Sequence, residues 1–181
     1  MIYTEKKFNL AVLEGLSKDS VDQHLALYAG YVKNFNDLSA LAEFDRRLPF
    51  EFDGMRLHEY YFEQFETGSA SLATSSALRA ELAKQFGSFD AWEKQFRAVG
   101  AMRGPGWAIL YFDPSQKMFH NVWVEQHHQG HFAALPIILA LDVWEHAFVI
   151  DYGTAGRGKY IDACFKNYNW SVMEERFEKI K

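Results

Sequence analysis

Residues 136–146 read Pro136-Ile137-Ile138-Leu139-Ala140-Leu141-Asp142-Val143-Trp144-Glu145-His146, an apolar run followed by a carboxylate and an imidazole. The run up to Leu141 predicts a buried strand, and the sequence from Val143 onward is typical of a helix. Asp142 and His146 lie four residues apart, about one helical turn, so their side chains can point to one side. A carboxylate and an imidazole in this arrangement can bind one transition metal.

Two upstream histidines lie on the apolar faces of predicted helices. His24 belongs to a helix for which Ser17 is the predicted N-cap. His58 belongs to a second helix, predicted to begin near Asp53 after a turn at Pro49. The face around His24 contains Val21, Leu25, Tyr28, Val32 and Phe35, and the face around His58 contains Met55, Tyr61, Phe62 and Phe65. Both histidines are therefore candidate metal ligands.

Four buried ionisable groups need a partner that satisfies them together. A lone histidine on an apolar face is more often a core residue than a ligand, but two of them together with Asp142 and His146 favour a metal. Burying these groups unpaired would be costly, whereas one cation satisfies all four. Three histidines and one aspartate suit manganese or iron. Because the set lacks cysteine, it excludes an iron–sulfur cluster and disfavours structural zinc, while a catalytic zinc site stays open.

The whole chain predicts an α+β fold. Residues 1–70 are expected to form an N-terminal helical hairpin domain. Residues 71–181 are expected to form a C-terminal domain with a three-stranded antiparallel sheet and flanking helices. Gly87 is a predicted helix stop, and Ser88 is the predicted cap of the next helix. The strands are expected at residues 107–112, 119–124 and 136–141 as a consecutive meander, and the later helices at residues 143–153, 158–169 and 171–180.

Composition excludes several classes of function. The net charge of −5 argues against a nucleic-acid partner, because phosphate binding requires a basic face. Cys164 is the single cysteine, so no intramolecular disulfide can form, which fits a reducing compartment. The N-terminus lacks the apolar segment of a signal peptide, and no apolar run is long enough for a transmembrane helix. We therefore expect a cytoplasmic protein without a membrane partner.

Several segments resemble one enzyme family. The sequence from Asp142 to Phe148, followed by Asp151-Tyr152, resembles the signature of the iron/manganese superoxide dismutases. Weaker matches occur in the same order as in that family at Leu16-Ser17-Lys18, at residues 30–36, at residues 86–89, at residues 104–107 and at Asn169-Trp170. The resemblance covers nearly the whole chain and indicates a divergent branch.

The resemblance implies a function and a set of ligands. His24, His58, Asp142 and His146 would bind one manganese or iron ion per subunit. This ion would cycle between two oxidation states while superoxide is converted to dioxygen and hydrogen peroxide. The family also implies a homodimer, in which Glu145 crosses the interface and fixes the ligand histidine of the partner subunit.

Other positions match residues that surround the metal in this family. The hydrogen-bond donor to the solvent molecule on the metal would be Gln126 or His127, and His127 is slightly favoured. Tyr31 or Tyr28 would stand at the mouth of the substrate funnel. The loop histidines His128 and His131 are equally compatible with a role at the site and with a solvated turn.

Trp107 and Trp144 match the family's aromatic wall, and both residues can serve the core as well.

The resemblance leaves the choice of metal open. Manganese and iron accept the same three histidines and one aspartate, so ligand type does not choose between them. A hydrogen-bond donor to the metal-bound solvent that comes from the loop around Gln126 and His127 resembles the manganese arrangement. A histidine as that donor, together with Ala140, leaves open a preference for iron or activity with either metal.

Two other functions compete with dismutation. A non-catalytic relative, acting as a structural or binding module, would usually lack a ligand, whereas all four candidate ligands are present. A hydrolase that uses metal-activated water would need an additional general base, and the sequence offers no obvious one beyond Glu145. Metal analysis combined with a superoxide assay separates the three.

Overall fold

The computed structural model describes residues 2–10, 12–40 and 46–181. Helices precede a three-stranded sheet and further helices follow it, which confirms the α+β prediction. The helices are α1 (Lys18–Ser39), α2 (Leu48–Glu63), α3 (Ala77–Phe86), α4 (Phe89–Gly100), α5 (Glu145–Tyr152), α6 (Arg157–Lys166) and α7 (Trp170–Glu178). The strands are β1 (Trp107–Asp113), β2 (Met118–Val124) and β3 (Ile137–Asp142). None of the helices in these ranges is long and apolar enough to cross a membrane.

Helix α1 turns one face toward the core. Ser17 caps it as predicted, since its Oγ accepts a hydrogen bond from the Ser20 backbone N–H at 3.1 Å. The buried residues along α1 include His24, Tyr28 and Val32, which are spaced about one turn apart. The helix therefore holds His24 on its buried side, as the apolar neighbours of this histidine predict.

Helix α2 begins earlier than expected. The sequence predicted a turn at Pro49 and a helix start near Asp53, whereas the helix begins at Leu48 with Pro49 in its first turn. Proline fits there because the first N–H groups of a helix have no intrahelical partner and the fixed φ of proline suits a helix. The longer helix buries Gly54 and His58 one turn apart on the same side.

The sheet has the strand order β2-β1-β3, so the predicted meander was wrong. Strand β1 lies at the centre and pairs antiparallel with both neighbours. Its residues from Trp107 to Phe112 are all buried, and a strand that is apolar on both faces needs cover on each of them. Residues 125–136 return the chain to the far edge of β1, where Asp142 pairs with Trp107.

A tight junction joins β3 to α5. Asp142 is the last residue of β3 and His146 is the second residue of α5, so they lie on two elements and not on one helical turn. The Asp142 Oδ1 accepts a hydrogen bond from the backbone N–H of Trp144 at 2.8 Å, which bends the chain at the strand end. The two side chains nevertheless face each other, as the sequence spacing predicted.

Candidate metal centre

Four side chains converge between the N-terminal helices and the end of β3. Asp142 Oδ2 lies 3.2 Å from His24 Nε2, 3.1 Å from His146 Nε2 and 3.5 Å from His58 Nε2. One potential ligand atom from each residue lies within 4.8 Å of the others. Three of the residues are buried, whereas the side chain of His146 keeps 23% of its surface exposed. The structure thus brings together the four residues that the sequence indicated.

Each of the four residues comes from a different element. Helix α1 carries His24, α2 carries His58, β3 ends with Asp142 and α5 carries His146. The ring centroid of His24 lies 5.0 Å from that of His58 and 4.8 Å from that of His146. Because residues so distant in sequence meet only when these elements pack together, the site exists only in the folded chain.

Hydrogen bonds that point away from the centre determine which atoms face it. His58 Nδ1–H donates to the Gly54 carbonyl at 2.6 Å, so the neutral ring presents an unprotonated Nε2. That Nε2 is buried and has no hydrogen-bond partner among the described residues. On Asp142, Oδ1 accepts the Trp144 N–H, which leaves Oδ2 for the centre. An unpartnered imidazole nitrogen beside two further imidazoles and a carboxylate oxygen fits a manganese or iron ion.

The charges of the four converging side chains favour a cation. Burial would raise the pKa of Asp142, but His146 and His24 hold it well below its usual range, so the carboxylate stays ionised. Burial lowers the pKa of both His24 and His58, which keeps these rings neutral. Burial also opposes protonation of His146, yet Asp142 raises the pKa of this ring above its ordinary value. A buried anion surrounded by imidazole nitrogens is suited to binding a metal cation.

His127 reaches the site, whereas Gln126 lies in the adjoining turn. Gln126 pairs through its backbone with Gln129 and is half-buried, whereas His127 is fully buried. Trp107 Nε1–H donates to His127 Nδ1 at 3.0 Å. Because an indole nitrogen only donates, the neutral His127 ring carries its hydrogen on Nε2, which lies 2.7 Å from Tyr31 Oη.

Aromatic rings close one side of the centre. Trp144 stacks on His127 with ring centroids 5.1 Å apart, and it lies 6.1 Å from His146. Trp107 meets His58 edge-on at 5.2 Å. Both tryptophans therefore line the site, and Trp107 is fully buried in the core as well.

The two candidate tyrosines have separate surroundings. The ring of Tyr31 lies over that of His58, with centroids 5.0 Å apart. Tyr28 instead donates to the Glu59 carboxylate at 3.2 Å and accepts from the Lys6 backbone N–H at 2.8 Å. Burial raises the pKa of both tyrosines, so both hydroxyls stay protonated at neutral pH. Tyr31 contacts His58 and His127, whereas the Tyr28 hydroxyl is held by Glu59. Which of the two tyrosines stands at the mouth of the substrate funnel stays a prediction.

Two positions without an assigned role support His127 and Tyr31. A Cβ atom at Gly54 would lie 2.7 Å from the Tyr31 ring, so the glycine makes room for the tyrosine. His131 Nε2–H donates to the His127 carbonyl at 2.7 Å, and its Nδ1 accepts the Tyr111 hydroxyl at 2.6 Å. His131 is therefore part of the support for His127 and not a solvated turn residue. The signal in the sequence was two histidines four residues apart in one loop.

Gly54→Ala is expected to lower the free energy of unfolding. In an ordinary helix this change stabilises by about 1 kcal/mol. Here the new methyl group would overlap the Tyr31 ring at 2.7 Å, and such overpacking costs about 1–3 kcal/mol. Gly30→Ala in α1 is the matched control, because nothing lies within 4 Å of its added Cβ, and it should stabilise by about 1 kcal/mol. Urea unfolding checks both variants, and equal gains would contradict the close approach of Tyr31 to α2.

Comparison with known proteins points to one family. A family model described as iron/manganese superoxide dismutases, C-terminal domain, matches residues 74–176. A manganese superoxide dismutase of Haloarcula marismortui is 38% identical over 126 residues, which cover 70% of this chain and 61% of that protein. An iron superoxide dismutase of Saccharolobus solfataricus is 32% identical over 183 residues, which cover 91% of this chain and 86% of the relative. An iron superoxide dismutase of Aquifex pyrophilus is 32% identical over 187 residues, which cover 92% of this chain and 86% of the relative.

Proposed function

The chain belongs to the iron/manganese superoxide dismutases, and we propose that it converts two superoxide anions and two protons into dioxygen and hydrogen peroxide. The observation that carries this proposal is the buried convergence of His24, His58, Asp142 and His146. These four residues would hold one manganese or iron ion per subunit. Relatives named for each metal match this chain over most of its length, so dual use is included in the proposal.

The bound ion would supply the one-electron redox change by which one superoxide is oxidised and the next is reduced. The side chains hold fixed positions around it, since the Gly54 carbonyl orients His58 and the Trp144 N–H orients Asp142. Trp107 packs against His58 and closes that side of the centre.

Formation of peroxide consumes two protons, and we propose that Tyr31 and His127 deliver them. Trp107 fixes the His127 hydrogen on Nε2, and this Nε2–H donates to Tyr31 Oη. The Tyr31 hydroxyl hydrogen then points away from His127, and its ring lies over His58. A hydroxyl in this position can pass its hydrogen to a reduced substrate as it takes the Nε2 hydrogen of His127, and a proton from solvent then restores the neutral imidazole, so solvent is the source of both protons.

We also propose a homodimer in which Glu145 of each subunit hydrogen-bonds the partner subunit's His146. The proposal is supported by two features of α5. Glu145 is exposed at the start of this helix. Its neighbour His146 keeps 23% of its side chain exposed, unlike the other two histidines of the centre, which are buried. A partner at this surface would cover the exposed side of the site.

Glu145→Ala is expected to weaken the dimer at least about 10-fold, because removing one partner of a buried charged hydrogen bond costs about 2–5 kcal/mol. Analytical ultracentrifugation over a dilution series measures the effect. Glu81→Ala, at an exposed glutamate of α3, is the matched control and should leave the dimer unchanged. A wild-type protein that sediments as a monomer throughout would contradict the proposed interface.

The proposed activity is tested on protein loaded separately with manganese and with iron. We expect one ion per subunit and rapid consumption of superoxide with at least one of the metals. Protein that binds metal without consuming superoxide would instead be a non-catalytic relative. A His24→Ala variant that kept both full activity and metal would contradict the assigned site.

We propose further that residues 1–70 and 71–181 are two structural parts of one protein. This division is supported by the match to the family's C-terminal domain, which begins at residue 74. The metal centre takes His24 and His58 from the first part and Asp142 and His146 from the second. A cytoplasmic location stays a prediction from the sequence.

A further inference from the structure

A buried pair of hydroxyls lies behind the metal centre. Tyr61 Oη and Tyr160 Oη are 3.0 Å apart, and Tyr160 donates to the backbone carbonyl of Asp142 at 2.7 Å. Only 3% of Tyr61 and 0% of Tyr160 are exposed, so water does not compete for these bonds. Because the Tyr160 hydrogen is used on a carbonyl, which can only accept, the Tyr160 oxygen accepts from Tyr61. The chain of hydrogen bonds therefore has one direction, from Tyr61 through Tyr160 to Asp142.

The ring of Tyr61 contacts a second candidate ligand. It lies 4.9 Å from the His24 ring, with the two planes tilted by 38°. Tyr61 also follows His58 by three residues on α2. The Tyr61 ring thus contacts His24, and its hydroxyl is linked to the Asp142 carbonyl through the hydroxyl of Tyr160. The backbone of Tyr61 lies about one turn from His58.

The neighbouring thiol brings no charge to this pair. Cys164 is buried beside Tyr61 and Tyr160. Burial raises the pKa of the thiol to about 12, so it stays neutral. The direction of the hydrogen-bond chain is therefore set by the Asp142 carbonyl and not by a nearby charge.

We propose that Tyr61 and Tyr160 are positioning residues, which fix Asp142 relative to His24 and His58 and thereby set how tightly the centre holds its metal. This inference rests on the proposed function. Asp142 ends β3, so the Tyr160 hydroxyl holds its backbone where the strand passes into the junction with α5. Contacts of this kind, one step behind the ligands, typically change metal affinity by about 10–100-fold when they are removed.

Two variants separate the hydroxyls from the rings. Tyr160→Phe removes both the donor to Asp142 and the acceptor for Tyr61, whereas Tyr61→Phe keeps the ring against His24 and removes only the first hydroxyl. In manganese-loaded protein, we expect Tyr160→Phe to release metal to a chelator about 10-fold more readily and to shift the visible absorption band of the trivalent ion. Tyr61→Phe should shift both readouts in the same direction by a smaller amount.

Tyr168→Phe is the matched control. Tyr168 is fully buried, and its hydroxyl has no hydrogen-bond partner within the described ranges. This variant should keep the metal retention and the absorption band of the wild type. If Tyr160→Phe matched Tyr168→Phe in both readouts, the proposed positioning role would be wrong. If Tyr160→Phe did not fold, a Tyr61→Phe protein indistinguishable from Tyr168→Phe would overturn it equally.

The same measurements separate this inference from the proposed function. Wild-type protein that took up neither metal would overturn the proposed function, and the positioning role with it. Wild-type protein that held metal and consumed superoxide, combined with unaltered Tyr160→Phe and Tyr61→Phe proteins, would overturn the positioning role alone.

Discussion

Asp142→Asn is expected to abolish superoxide dismutation and to weaken metal binding at least about 100-fold. Asp142 supplies the single carboxylate among the four converging residues, and its Oδ2 faces all three histidines. Removing one charge from a buried set costs about 3–5 kcal/mol. The fold should persist, because asparagine keeps an oxygen that can accept the Trp144 N–H. Metal content per subunit and the rate of superoxide consumption measure the effect.

Asp113→Asn is the matched control for this change. Asp113 ends β1 as Asp142 ends β3, and its carboxylate accepts the Ser115 backbone N–H at 2.8 Å. Asparagine can preserve this turn, so metal content and rate should stay within about twofold of the wild type, as for a surface substitution. An Asp142→Asn protein that behaved like Asp113→Asn would show that Asp142 is not a ligand.

The metal-free protein is expected to lose about 3 kcal/mol of stability through His127 alone as the pH falls from about 6.5 to about 4. Burial lowers the pKa of this ring to about 4, whereas an imidazole in the unfolded chain titrates near its ordinary value of 6.5. Between these two pKa values the unfolded chain binds a proton that the folded chain does not. Unfolding therefore becomes more favourable as the pH falls, and the stability contribution is fully present above the unfolded pKa.

His127→Gln isolates this contribution. The variant should lose about 3 kcal/mol less than the wild type across the same pH range in urea unfolding of the metal-free protein. The histidines of the metal centre are present in both proteins, so the difference between the two pH profiles reports His127 together with its electrostatic coupling to them. His120→Gln on β2, where the ring lies 5.5 Å from Phe132, is the matched control outside the site. A His127→Gln protein with the pH dependence of the wild type would contradict the burial of a neutral ring.

Sequence periodicity predicted the elements better than it predicted their arrangement. The N-caps at Ser17 and Ser88 and the helix stop at Gly87 were predicted correctly, because capping depends on neighbouring residues. The start of α2 was wrong because Pro49 is equally compatible with a turn and with the first turn of a helix. The strand order was wrong because antiparallel pairing of β1 with β3 depends on the path of a long loop, which has no periodic signal.

Local chemistry along the chain was sufficient to identify the four candidate ligands. Two apolar helix faces contain His24 and His58, and a strand-to-helix junction contains Asp142 and His146, so each residue could be recognised from its own neighbours. The cost of burying four ionisable groups unpaired then joined them into one candidate metal site, and the family resemblance implied the same four ligands.

Only the packed structure selected the residues around those ligands. The structure buries His127, and not Gln126, against Trp107. It also places the ring of Tyr31, and not that of Tyr28, in the space that Gly54 leaves. These choices depend on contacts between residues that are far apart in sequence. A one-residue change of register in a loop alters which side chain is buried without altering any local pattern, so tertiary packing alone decides it.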